Sequence, residues 1–167
     1  MSPSQTIGPF FHFCLTANAA LGSLAEPDAK GERIRVRFRL LDGDGAPVPD
    51  GMLELWQTDA AGQYGGFGRL ATDSDGVCLF DTVYPGRAAD GQASHISVSV
   101  FARGLLDRLC TRVYFEGDPA LDGDPVLALV PEDRRQTLIA RRDAEDRAQW
   151  NFDIRLQGEQ ETVFFDI

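Results

Sequence analysis

The sequence predicts an all-β fold, an antiparallel β-sandwich with short helical insertions and extended N- and C-terminal arms, on three observations. Apolar and polar residues alternate with a period of two in several short runs. No run keeps the 3.6-residue period of a long helix. Clusters of Gly, Pro and Asp separate the runs. With 167 residues, 43% of them hydrophobic, the chain has the size and core material of one domain, residues 1–167.

The first strand is the clearest. Ile34, Val36, Phe38 and Leu40 alternate with Arg33, Arg35, Arg37 and Arg39, so one face is apolar and the other carries four guanidinium groups. Both a solvated face balanced by carboxylates and an interface for an acidic partner fit this ladder. Asp42-Gly43-Asp44-Gly45, with Pro47 and Pro49, then forms a turn, and Met52 to Gln57 resumes as a strand. Further strands are expected at Val77 to Phe80, His95 to Phe101, Thr111 to Phe115, Trp150 to Leu156 and Thr162 to Asp166. Helix is expected only in short pieces around Leu121 to Ala140, where Pro131 precedes the acidic Glu132 and Asp133. Trp56 and Trp150 lie on alternating strands and are expected in the core. The aromatic ends, Phe10, Phe11 and Phe13 at one and Phe164 and Phe165 at the other, must dock on this domain's own core or on another chain, because unburied termini fray.

Charge narrows the function. Against 16 Lys+Arg stand 26 Asp+Glu, a net charge of −10, which excludes broad contact with nucleic acid or anionic lipid. Cys14, Cys78 and Cys110 are odd in number and lack metal-finger spacing, as expected of reduced thiols. No apolar run nears the roughly 18 residues of a membrane span, and no basic start leads into an apolar stretch. A cytoplasmic location is the expectation. The chain has no G-x-S-x-G elbow, no Walker loop and no H-E-x-x-H, and its two histidines, His12 and His95, preclude a three-histidine metal site.

One succession of motifs does carry chemistry. Leu53-Glu54-Leu55 and Trp56-Gln57 precede Gly62-Gln63-Tyr64, Gly68-Arg69 and Thr72-Asp73-Ser74-Asp75-Gly76. Tyr84-Pro85-Gly86, His95-Ile96-Ser97 and Tyr114-Phe115-Glu116-Gly117-Asp118-Pro119 follow in order. This succession resembles the signature of the intradiol ring-cleaving dioxygenases. The opening Ser4-Gln5-Thr6-Ile7-Gly8-Pro9-Phe10-Phe11 and the closing Phe152-Asp153-Ile154-Arg155 and Glu161-Thr162-Val163-Phe164-Phe165-Asp166 resemble the α chain of the family's heteromeric αβ members.

The resemblance implies a non-haem ferric site of two tyrosinates and two histidines, the second histidine two residues after the first. Phenolate and imidazole suit ferric iron, and the i, i+2 spacing puts both imidazoles on one sheet face. Here Tyr64 matches the first tyrosine and His95 the first histidine. The second tyrosine falls near Arg87 and Ala88, the second histidine on Ser97, and a family arginine on Gln92. A methyl and a hydroxyl cannot replace phenolate and imidazole. The four positions Tyr64, Ala88, His95 and Ser97 are therefore expected to be a vestigial metal site, with no metal and no catalytic residue in this chain alone.

What remains is a subunit role. The resemblance implies an obligate β chain that holds Fe(III), intradiol cleavage of 3,4-dihydroxybenzoate in the complex, higher-order assembly of αβ units, and an N-terminal arm, residues 1–20, docking on that partner. By motif, the substrate-pocket positions are Thr6, Gly8, Pro9 and Arg103. Two alternatives stay open: a self-sufficient dioxygenase using Tyr64, Tyr84, His95 and His12, and a transthyretin-like binding module with no catalytic role.

Overall fold

The structure, a computed structural model, describes residues 13–88 and 90–166. Eight strands form: β1 Arg33–Leu41, β2 Met52–Thr58, β3 Tyr64–Ala71, β4 Val77–Val83, β5 His95–Phe101, β6 Leu109–Phe115, β7 Ile139–Arg142 and β8 Gln149–Arg155. Their order is β3-β2-β5-β6-β7-β8-β1-β4. The whole is a mostly-β architecture nearly closed into a barrel-like sandwich, and helix among the described residues is limited to short 3-10 turns and the α-helical residues 13–15. β7 is the corner between the two layers. Its first half pairs with β6 through Ile139 and Ala140, and its second half with β8 through Arg141 and Arg142.

The purely antiparallel expectation needs correction. β1 runs parallel to β8, and β6 parallel to β7, while the other neighbouring pairs are antiparallel. Alternation reports which face a residue takes, not which way its strand points. β1 behaves as its pattern requires: Ile34, Val36, Phe38 and Leu40 are buried, and Phe38 meets the rings of Phe80 and Phe152 edge-on at 5.8 and 6.0 Å. Burying one such side chain contributes about 1.5–3 kcal/mol, so this face alone anchors one layer. Leu53 and Leu55 of β2, Ile96, Val98 and Val100 of β5, and Val113 and Phe115 of β6 close the same core from the other layer.

One strand was not expected, the short helical pieces form where they were, and one expected strand does not form. β3 has no clean alternation because Gly65, Gly66 and Gly68 interrupt it. A Cβ on Gly66 would lie 2.6 Å from the Leu24 carbonyl oxygen, and one on Gly68 2.5 Å from a Leu24 methyl. Those glycines let residues 21–24 cross the strand closely. Around Leu121 to Ala140 the helix is limited to 3-10 turns at Leu121–Gly123, Leu127–Leu129 and Glu132–Leu138, and Ile139 already belongs to β7. Thr162 to Asp166 forms a single bridge, Phe165 to Cys110, rather than a strand. This tail docks on its own chain: Val163 and Phe165 pack on a second apolar cluster of Ala93, Tyr114, Leu127, Val130 and Leu138. Thr111 Oγ1 donates to the Val163 carbonyl at 2.8 Å.

Candidate functional site

At the start of β5 the inward Ile96, Val98 and Val100 send His95, Ser97 and Ser99 to the other face. Ser97 stands opposite Trp56 of β2 and Arg112 of β6. Trp56, expected in the core, is instead 42% exposed on this outer face. Its ring lies 6.0 Å from that of Tyr64, the first residue of β3, which is 70% exposed. The segment through Gly86, Arg87 and Ala88 completes the corner. Thr58 Oγ1 donates to the Gly86 carbonyl at 2.6 Å. Gly62 turns with φ +80°, and a Cβ there would meet the Arg87 carbonyl oxygen at 2.1 Å, so the approach of the two loops requires glycine. The fold thus puts Tyr64 and Ser97 beside Trp56, Ala88 beside the Gly62 turn, and His95 two residues before Ser97 on the same strand face.

The histidine is committed to its own chain. His95 Nδ1 lies 2.9 Å from the Ala93 carbonyl, which can only accept, so Nδ1 carries the proton. The ring sits 5.6 Å from that of Tyr114. Burial pushes the imidazole below its ordinary value of 6.5, only partly opposed by the Ala93 bond. His95 is therefore the neutral tautomer with its Nε2 lone pair available, the form a metal ligand takes. It finds few companions: the corner offers one phenol and one imidazole, with a methyl and a hydroxyl at the other two positions. Gln92 is turned to Arg112 in a hydrogen bond. Among the described residues no group of three or more His, Cys, Asp or Glu is placed to hold a metal. The donor set does not fit a ferric ion.

Two aspartates that sequence reasoning did not single out as positioning groups hold this corner in place. Asp124, 1% exposed, accepts from the amides of Ala93, Val126 and Leu127, each at 2.8 Å, and from the Tyr114 hydroxyl at 3.2 Å. Asp118 accepts from the Arg87 guanidinium at 2.7 Å, the Ala120 amide at 2.9 Å and the Ser94 amide at 3.2 Å. Burial pushes the Asp118 carboxyl up, but these donors outweigh it and hold it below the usual carboxylate range. The only signal in the sequence was the pair of Asp-Pro turns, Asp118-Pro119 and Asp124-Pro125.

Tyr84 adjoins the corner through the segment of Gly86 and Arg87. It packs 4.6 Å from Phe115 and 6.1 Å from Trp150, ring centre to ring centre, and lines a cleft of about 760 Å³ with Arg87, Asp118 and Arg142. Burial pushes its phenol up to about 12, the reverse of what a tyrosinate ligand needs. Trp150 is buried as expected, under the Arg142 guanidinium at 4.6 Å.

Arg103 lies at the other end of β5. The six steps from His95 to Phe101 span about 20 Å, so Arg103 does not share the His95 corner. Its side chain is 76% exposed and ion-paired to Asp50, Nε donating to Oδ2 at 2.6 Å. Thr6, Gly8, Pro9 and His12 lie outside the described residues.

Comparison with known proteins adds relatives to this geometry. A family model described as dioxygenase matches residues 7–158. The chain is 41% identical to the protocatechuate 3,4-dioxygenase alpha chain of Burkholderia cepacia, over 99% of this chain and 97% of that one. It is 35% identical to the protocatechuate 3,4-dioxygenase beta chain of the same organism, over 95% of this chain and 77% of that one. Among solved structures it matches the dioxygenase domain of a dioxygenase–carbohydrate-binding protein fusion from Streptomyces sp. SirexAA-E. There the TM-score is 0.71 and the identity 25%, over 93% of this chain and 97% of that one.

Proposed function

The chain belongs to the intradiol dioxygenase family, and on that premise we propose that it is the metal-free α subunit of a protocatechuate 3,4-dioxygenase. Its partner is a β chain that holds Fe(III), and the complex opens 3,4-dihydroxybenzoate with O2 to 3-carboxy-cis,cis-muconate. The iron, in the partner, supplies activation of the catechol toward O2. No step of that chemistry runs through a residue of this chain.

The observation that carries this reading is the His95 corner, where two of four ligand positions hold donor side chains. A chain so depleted depends on another for its metal, and a sibling with 35% identity is the natural source. This subunit's part is to wall the partner's pocket. Arg103 uses Nε and one terminal nitrogen on Asp50, and the rest of its five-donor fork remains for an aromatic carboxylate. Thr6, Gly8 and Pro9, which lie outside the described residues, are assigned to the same wall by the opening motif alone. The N-terminal arm, residues 1–20, docks on the partner, and the αβ units assemble further in the cytoplasm.

Expression of the chain alone and together with the β chain tests this directly. The lone chain is expected to be colourless, iron-free and inactive, and the complex red-brown and active on protocatechuate in an oxygen electrode. Ring cleavage and tyrosinate colour from the lone chain would refute the subunit reading.

A further inference from the structure

The arginine ladder is not used by the function above, and its four members do not share one fate. Arg33 donates to the Glu26 carbonyl, Arg35 is ion-paired to Asp146, and Arg39 is ion-paired to Asp153 through Nε at 3.1 Å and Nη2 at 2.5 Å. Arg37 has no carboxylate within ion-pairing distance among the described residues. The same holds for Arg141 on β7 and Arg155 on β8. These three line one cleft of about 480 Å³ together with Arg39, and Asp153 is the only carboxylate in that lining. On a chain with a net charge of −10 this is a local excess of positive charge.

The register explains how the charges converge. Arg37 pairs with Asn151, and Asn151 pairs with Arg141, so three adjacent strands place Arg37 and Arg141 in one cross-strand row. Two strand spacings separate their backbones by about 10 Å, leaving room for a group between the two forks. Arg155 closes the cleft further along β8, where the turn to Thr162 brings Gln160 to its rim, and Gln136 adds a second amide. The volume lies within the roughly 300–1,000 Å³ of small-ligand pockets, and the site is concave rather than a flat sheet face.

We propose that this cleft binds a small di- or tricarboxylate. Guanidinium forks match carboxylates in bidentate pairs, and several unpaired forks at fixed separation favour a ligand with more than one carboxylate over a single anion. A monocarboxylate satisfies one fork and leaves like charges beside it uncompensated. The ring-opened tricarboxylate of the proposed reaction is one member of the class, but the cleft's chemistry stands without that reading.

Calorimetric titration of the full-length chain with citrate at fixed ionic strength tests the site, with benzoate and sodium chloride as the mono-anion arms and polyglutamate as the acidic-polymer arm. Saturable one-to-one binding of citrate is expected, at least tenfold tighter than benzoate. Arg37→Gln and Arg141→Gln are each expected to weaken it at least fivefold. Arg141 is exposed, so its variant is expected to fold even if Arg37→Gln does not. Citrate binding no tighter than chloride, or unchanged in Arg141→Gln, overturns the proposal. So does binding of polyglutamate without citrate, which would give this face to an acidic macromolecule. Turnover is read separately in the co-expressed complex: citrate binding with no protocatechuate cleavage sinks the subunit reading alone, and cleavage without citrate binding sinks this inference alone.

Discussion

The two ends of β5 use similar raw material differently. At the His95 end several polar groups are committed within the chain: the imidazole Nδ1 to Ala93, Gln92 to Arg112, and the Ser94 amide to Asp118. At the Arg103 end, a guanidinium reaches solvent with one carboxylate for a partner. A group whose donors are all satisfied within the chain contributes order. One with donors to spare at the surface is free to act on something outside. The difference lies in second neighbours, not in the reactive residues themselves.

The comparison can be broken most severely through Asp124. Removing its carboxylate in Asp124→Ala leaves two buried amides, one half-buried amide and the Tyr114 hydroxyl without their acceptor. The loss of unfolding free energy is expected to be about 3–5 kcal/mol. Urea denaturation measures it, and a loss below 1 kcal/mol would mean the His95 corner is not held as described.

Arg103→Ala in the αβ complex is the matching cut at the other end. Loss of a charge-assisted bond to substrate, worth about 1.5–3 kcal/mol, lowers kcat/KM for protocatechuate about 10- to 150-fold. The melting temperature stays nearly level, since exposed ion pairs contribute little. Unchanged turnover removes Arg103 from the pocket.

A smaller effect sharpens the role of His95. Its folded pKa lies below the unfolded 6.5, so the unfolded chain binds more protons as pH falls under that value. The stability contributed by the neutral imidazole is full above 6.5 and declines as pH drops toward the folded pKa. His95→Gln should flatten the dependence of the urea midpoint between pH 7 and 5.5. Parallel curves for the two proteins would show that the ring is not buried neutral. The smallest effect is at the surface: Arg35→Gln, which breaks the pair with Asp146, is expected to change stability by less than about 1 kcal/mol.

Much of this was legible in the residues. Alternation placed β1, β2, β5 and β8, and the buried faces of β1 and β8, because period-two burial is local and survives any topology. The retained Tyr64 and His95 and the replaced Ala88 and Ser97 are likewise properties of single positions. β3 escaped because its glycines serve a crossing segment rather than the strand's own pattern, and Trp56 was assigned to the core because alternation alone does not say which face is covered. Asp118 and Asp124 looked like ordinary turn residues, since their amide partners near His95 lie 24 to 31 residues away.

The chain's own letters thus determined which side chains exist at each ligand position and which strand faces are apolar. Tertiary structure alone decided that β1 and β8 run parallel, that the tail folds back on β6, that His95 is bonded to Ala93, and that unpaired arginines from three strands share one cleft. The physical reason is range: side-chain alternation is written residue by residue, whereas strand direction and hydrogen-bond partners depend on contacts between segments that only folding brings together.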